Sequence, residues 1–160
     1  MPFDGATCKA YWAEFVQSLS ARDPRRNAKP DAFGFGGEGK LADERAALVL
    51  AGRKRATASL PLEYTSLDEP LPKVGDLSII LDGTGVPVGI IERTAVDLVP
   101  FGKVDGEFAA VEGEGDGSLH DWREAHTSYF NSVCARLGGK LEEETPVLCQ
   151  RFRLVWPGQL

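Results

Sequence analysis

Leu48-Val49-Leu50-Ala51-Gly52-Arg53-Lys54-Arg55-Ala56-Thr57-Ala58-Ser59-Leu60 is a passage between two kinds of secondary structure. Upstream, the alanines and leucines of residues 41–51 favour helix. Gly52 stands just past that helix, where the chain needs a left-handed backbone to leave it. Downstream, residues 55–60 read as a strand. Lys54 and Thr57 are an odd number of positions apart, so on a regular strand they would face opposite sides. For amine and hydroxyl to act together, Lys54 must sit in the turn, before strand geometry begins.

The segment Gly52-x-Lys54-x-x-Thr57 supports two readings. In the catalytic one, Thr57 is the nucleophile, which is weak until a base takes its proton. A lysine serves as that base only where burial or nearby positive charge disfavours its ammonium form, and Arg53 and Arg55 flank it. A carboxylate would complete the set. In the plainer reading, Gly-Arg-Lys-Arg is a basic turn whose charges suit the C-terminus of a helix. Thr57 is then an ordinary strand residue, and the residues taken alone favour this.

Working outward, Cys8, Tyr11, Trp12, Phe15, Val16 and Leu19 recur at helical spacing, with Thr7 as N-cap and Asp23-Pro24 as the stop. Residues 20–39 read as a polar loop containing Phe33-Gly34-Phe35. Its aromatics either pin the loop to the body or form a mobile stacking lid, and pinning is the commoner role. Prolines 61, 70 and 72 mark a second loop. Residues 76–81 and 86–93 are strands around the hairpin signal Asp82-Gly83-Thr84-Gly85, with 94–99 extending the second. Residues 104–111 form a short helix. Ser118, with Asp121 three residues on, opens another that carries Leu119, Trp122, Tyr129, Val133 and Leu137 and ends at Gly138-Gly139. A strand over 147–156 closes the chain. Helices at the ends and antiparallel strands between them predict an α+β fold, not a doubly wound sheet.

A chain of 160 residues fits one domain, with residues 1–40 as an N-terminal extension and 41–156 as its core. The three cysteines lack CxxC spacing and neither histidine completes a zinc pattern, so we expect core thiols, no metal and no cofactor. The first five residues lack the features of a secretory signal, and no apolar run approaches about 18 residues. We therefore expect a soluble, cytoplasmic protein without membrane attachment. A net charge of −6 excludes indiscriminate binding to nucleic-acid backbone. Basic residues are clustered, however, at Arg22, Arg25, Arg26 and Lys29 and again at residues 53–55. A local basic cleft suits a small anion or a short single strand.

The stretch 48–60 resembles the signature of the ASCH (ASC-1 homology) domain family. Leu71-Pro72-Lys73-Val74-Gly75-Asp76, the loop Glu112-Gly113-Glu114, the helix start at 118–122 and the closing Phe152-Arg153-Leu154 fit the same family in order. The N-terminal helix and Phe-Gly-Phe-Gly loop are similar to those of small stand-alone bacterial members. The resemblance implies a PUA-like mixed or antiparallel β-barrel with flanking helices. It implies RNA or nucleotide binding and, in one branch, ribonuclease activity. In another branch a lysine, a threonine three residues later and a later glutamate deacylate N4-acetylcytidine. Carried over, these fall on Lys54, Thr57 and the 112–114 loop, where Glu112 is the preferred acid and Glu114 the alternative.

The leading expectation is a metal-independent hydrolase of single-stranded RNA or a nucleotide, catalysed by Lys54, Thr57 and Glu112. Arg53, Arg55, Tyr64, Glu114 and Ser128 are expected to contact the substrate. The alternatives are an amidohydrolase of N4-acylcytidine nucleosides and a non-catalytic RNA-binding module. Tyr64 suits either base stacking or loop anchoring. His126, beside the apolar stripe of its helix, reads as a satisfied, partly buried residue and not as a base.

Overall fold

The computed structural model describes residues 5–158. Residues 1–4, most of the stretch read as lacking a secretory signal, lie outside it. Among the described residues five α-helices and five strands follow one another: α1 (Gly5–Ser18), β1 (Asp31–Phe33), α2 (Lys40–Leu50), β2 (Ala56–Ser59), α3 (Pro61–Thr65), β3 (Leu77–Leu81), β4 (Pro87–Pro100), α4 (Gly106–Glu112), α5 (Leu119–Leu137) and β5 (Pro146–Trp156). The strands hydrogen-bond in the order β1-β3-β4-β5-β2. β1 runs parallel to β3, whereas β3–β4 and β2–β5 are antiparallel. The class is α+β with a mixed sheet and flanking helices, as expected. The sheet is open, ending on β1 and β2, rather than closed into the expected barrel.

The residues group into two compact units. The first comprises the chain up to Arg53, Gly75–Arg93 and the residues from Phe152 on. The second comprises Lys54–Val74 and Thr94–Arg151.

In the first unit every residue of β3 is buried, because helices cover both faces of the strand. Leu77, Ile79 and Leu81 pack with Cys8 and Phe15 of α1. Ile80 packs with Ala46 and Val49 of α2, with Phe35 and with Phe152. A continuous apolar run is what such a doubly covered strand requires. Phe35 is buried and stacks on Phe152, while Phe33 meets it edge-on, so this loop is pinned to the body. The hairpin turns on Asp82, whose carboxylate accepts from the N–H groups of Thr84 and Val86.

Two elements depart from the sequence reading. β1 lies inside the expected 20–39 loop, and α3 lies where three prolines marked a loop. Pro61 occupies the first turn of α3, where its missing N–H costs nothing. Thr7 lies within α1, not at its cap.

The core of the second unit joins Ala56, Ala58 and Leu60, Val147 and Cys149 of β5, Phe108 and Ala109 of α4, and Trp122, Phe130, Val133 and Cys134 of α5. Asp105 caps α4 by accepting from the Phe108 N–H, and the Ser118 hydroxyl caps α5 by accepting from the Asp121 N–H at 3.1 Å. Gly138 ends α5 in the left-handed conformation. The buried stripe of α5 is Trp122, His126, Phe130, Val133 and Cys134, and Tyr129 stands exposed beside it. All three cysteines are buried, and none of them is in a disulfide among the described residues. Among the described residues no helix is long and apolar enough to cross a membrane.

Candidate functional site

The turn after α2 is fixed by its own hydrogen bonds. Gly52, at φ +75°, lets its N–H reach the Val49 carbonyl while the Arg53 N–H reaches Leu48 at 2.9 Å. This pair of bonds is the Schellman closure that a glycine just past a helix permits. Lys54 follows, two residues before β2 begins, and so lies in the turn. The next N–H, that of Arg55, donates to the Val111 carbonyl at 2.9 Å and ties the turn to the last turn of α4.

That tie brings two acids to the lysine. α4 ends at Glu112, and Gly113 adopts the left-handed conformation at φ 72°. The resulting reversal returns Glu114 toward the same point. Lys54 Nζ lies 2.5 Å from Glu114 Oε2 and 3.9 Å from Glu112 Oε1, and it also donates to the Ala56 carbonyl at 2.8 Å. The exposures differ in a useful way: the side chains of Lys54 and Glu112 are 0% and 3% exposed, that of Glu114 22%. Lys54 and Glu112 are thus interior ions, and Glu114 is the member of the cluster that reaches solvent.

Glu112 is held from two further directions. Trp122 Nε1 donates to its Oε2 at 2.5 Å, and His126 Nε2 lies 3.1 Å from its Oε1. Burial pushes the Glu112 carboxyl up, but the His126 hydrogen bond, the Lys54 charge and the Trp122 hydrogen bond together outweigh it and hold the group below the usual carboxylate range. Trp122 and His126, one turn apart on α5, stack with centroids 4.1 Å apart and planes 14° from parallel.

The other sequence candidates fall elsewhere. Thr57 and Ser59 share the face of β2 opposite the buried Ala56 and Ala58. Thr57 is paired in register with Gln150 of β5. Among the described residues the half-buried Thr57 hydroxyl is in no hydrogen bond, to Lys54 or to any other group. On the same face Tyr64, carried by α3, lies 3.1 Å from the Ser59 hydroxyl and accepts from Gln150 Nε2 at 3.3 Å. The neighbouring Glu63 accepts from the Leu60 N–H and from the Tyr129 hydroxyl. Arg53 and Arg55 are exposed. Ser128 is exposed about 200° around α5 from His126 and does not join the cluster. In the basic group at residues 22–29, Arg25 pairs with Asp23 at 2.7 Å, and Arg26 donates to the Val16 and Leu19 carbonyls at the end of α1.

Sequence reasoning missed His126 as a partner of this cluster, together with Trp122 and Gln150. The signal for His126 was its spacing of four from Trp122, but its partner Glu112 is far away in sequence and no local pattern links them. Among the described residues no group of three or more His, Cys, Asp or Glu is placed to hold a metal ion.

The chain is similar to known proteins over most of its length. The ASCH domain profile covers residues 31–156. The crystal structure of an ASCH domain from Lactobacillus crispatus JV V101 is similar at 32% identity over 97% of each chain, with a TM-score of 0.87. The protein EF3133 of Enterococcus faecalis V583 is similar at 31% identity over 94% of this chain and 88% of its own, with a TM-score of 0.80. No curated protein matches. With the profile spanning β1 to β5 and a relative superposing over nearly the entire length, this chain belongs to the ASCH domain family, whose PUA-like fold is often linked to RNA binding.

Proposed function

We propose that the chain is an amidohydrolase whose substrate is an uncharged acylated nucleoside of the N4-acylcytidine type. The observation that carries this reading is the state of Lys54. Its amine is fully enclosed and already sits against two carboxylates. An anionic phosphate brought to it would have to displace Glu114, whereas a neutral amide adds no charge to the site. The net charge of −6 points the same way.

In this reading the Thr57 hydroxyl attacks the acyl carbon and its proton passes through water to the Glu114 carboxylate, which Lys54 holds and which reaches solvent. The cytosine amine leaves with that proton, and water then frees the acid from the threonine ester. Glu112, preferred as the acid from sequence, becomes the enclosed counter-ion that keeps Lys54 in place. Glu114, partly exposed, is the proton carrier. Tyr64, Ser59 and Gln150, on the Thr57 face, supply hydroxyl and amide groups of the kind that reads a base edge.

The ribonuclease-like and RNA-binding readings keep one supporting observation, the exposed arginines on either side of Lys54 in sequence. Incubation with N4-acetylcytidine and with a single-stranded oligoribonucleotide separates the three. We expect acetate and cytidine from the first and an intact second. Shortened oligonucleotide would establish the nuclease instead, and binding with marked salt dependence but no product would establish the binding module. Glu114→Gln should remove acetate release while leaving the fold intact, because this side chain reaches solvent.

A further inference from the structure

The contact between His126 and Glu112 constrains where a proton must be. His126 Nδ1 lies 2.9 Å from the Trp122 carbonyl oxygen. A carbonyl oxygen only accepts, so Nδ1 carries a hydrogen. Nε2 faces Glu112 Oε1 at 3.1 Å. If Glu112 is a carboxylate, Nε2 must carry a hydrogen as well, and the ring is an imidazolium. If the ring is neutral, Nε2 presents a lone pair and Glu112 must hold the proton. Removing the proton from both would leave two lone pairs facing each other in a buried site, which costs the full desolvation of each.

The surroundings place that proton on the ring. Glu112 Oε2 already accepts the Trp122 indole N–H, and Oε1 lies 3.9 Å from Lys54, so the oxygens are set up as acceptors. The Trp122 face stacked on the ring suits a cation. Among the described residues Lys54, from the turn before β2, lies against Glu112, Glu114, from the loop after α4, lies against Lys54, and Cys149 of β5 feels the Glu112 charge. Burial and the Glu112 charge push the Cys149 thiol up to about 12, so it contributes no charge near neutrality. With the proton on His126, Lys54 lies between two anions. With it on Glu112, Lys54 faces Glu114 alone. The net charge of the cluster is the same in both states, which is why the proton can move without an uncompensated buried charge.

We propose that His126 is a positioning residue that, through a proton shared with Glu112, sets the charge behind Lys54 and so how firmly Lys54 is held on Glu114. The hydrogen-bond geometry puts that proton on His126. The charge arrangement stands without the amidohydrolase reading, and only its effect on turnover rests on that reading.

The test is 15N–1H NMR of the intact, ligand-free chain with labelled histidine and tryptophan, alongside His126→Phe and His126→Gln. His126 should show both ring nitrogens protonated at neutral pH, and the Trp122 indole N–H should resonate far downfield. On raising the pH, the ring and indole signals should change together as one coupled event. His126→Phe keeps the aromatic packing but no donor. There the indole signal should move upfield as Glu112 takes the proton, and the pH profile of kcat/KM for N4-acetylcytidine should change shape. In His126→Gln, which restores a neutral donor, the indole signal should return partway. A single protonated ring nitrogen in the wild type at neutral pH overturns the proposal, as does an indole signal unmoved in His126→Phe. Should His126→Phe fail to fold, the wild-type spectrum decides alone. Both ring protons present with no turnover of any substrate would sink the amidohydrolase reading and leave this one supported.

Discussion

In the first unit the buried cation is Arg93, and its partners are strand neighbours. Its guanidinium donates to the Ser78 hydroxyl at 2.6 Å, and Ser78 in turn donates to Asp31, its register partner on β1. These groups lie on three adjacent strands, so the network acts along the hydrogen-bonding direction of the sheet and fixes register. In the second unit Lys54, Glu112, Glu114 and His126 arrive from a turn, a helix end, a loop and a helix face. Register does not need that convergence. A polar network that only fixes a sheet can be built from one sheet's neighbours, whereas groups gathered from four elements must each be aimed. The aiming devices are visible: the Schellman turn at Gly52, the Arg55–Val111 bond and the left-handed Gly113.

The largest effects should come from breaking the centre of each region. Lys54→Ala takes the enclosed cation from between two carboxylates and should cost about 3–5 kcal/mol in denaturant unfolding, besides ending turnover. The size of that cost follows from how deeply the amine is enclosed, which the sequence did not reveal. Phe35→Ala, which empties an apolar site in the first unit, should also cost about 3–5 kcal/mol but leave the catalytic constants per folded molecule unchanged. Equal activity loss in the two variants would dissolve the distinction between the regions.

Acid sharpens the comparison. The Glu112 carboxyl sits below its ordinary value of 4.5, so its contribution to stability is complete above that value and is lost as pH falls through the lowered one. The stability gap between wild type and Glu112→Gln should therefore be wide near neutrality and narrow in acid. A gap that widened with acid would show the opposite sign of coupling.

Smaller effects test the aiming devices. Gly52→Ala meets no neighbour within 4 Å, so its cost should be that of the left-handed backbone alone, about 1–2 kcal/mol by thermal or denaturant unfolding. Ser118→Ala removes the cap of α5 and should cost about 1 kcal/mol.

The elements that were legible from sequence are those whose determinants are local. The α2–Gly52–β2 passage, the Asp82 hairpin and the Ser118 cap each lie within a few residues, and the structure has them where local chemistry puts them. Lys54 lies in the turn, the place the odd spacing demands if it is to act with Thr57. β1 was hidden because three residues among glycines and prolines carry too little pattern, and its strand character comes from pairing with β3. α3 was hidden because Pro61 was read as a loop marker when it opens a helix. In the site, His126 was hidden for a different reason. The stripe of α5 was read through Leu119 and Tyr129, while the buried side runs through Trp122, His126 and Phe130. Only the reversal at Gly113 brings Glu112 and Glu114 to one lysine, and a long-range convergence of that kind leaves no periodicity in the chain.

The cysteines give these comparisons a reporter. Cys8 is buried in the first unit, and Cys134 and Cys149 in the second, each 5% exposed. A thiol-alkylating reagent cannot reach any of them until its own surroundings open. Mass spectrometry of peptides labelled under mild denaturant therefore times the opening of each region separately, from the wild-type chain and without an added probe. If the two regions open together, all three sites label at one rate. If the ion-centred region opens first, Cys134 and Cys149 carry the label while Cys8 is still unmodified.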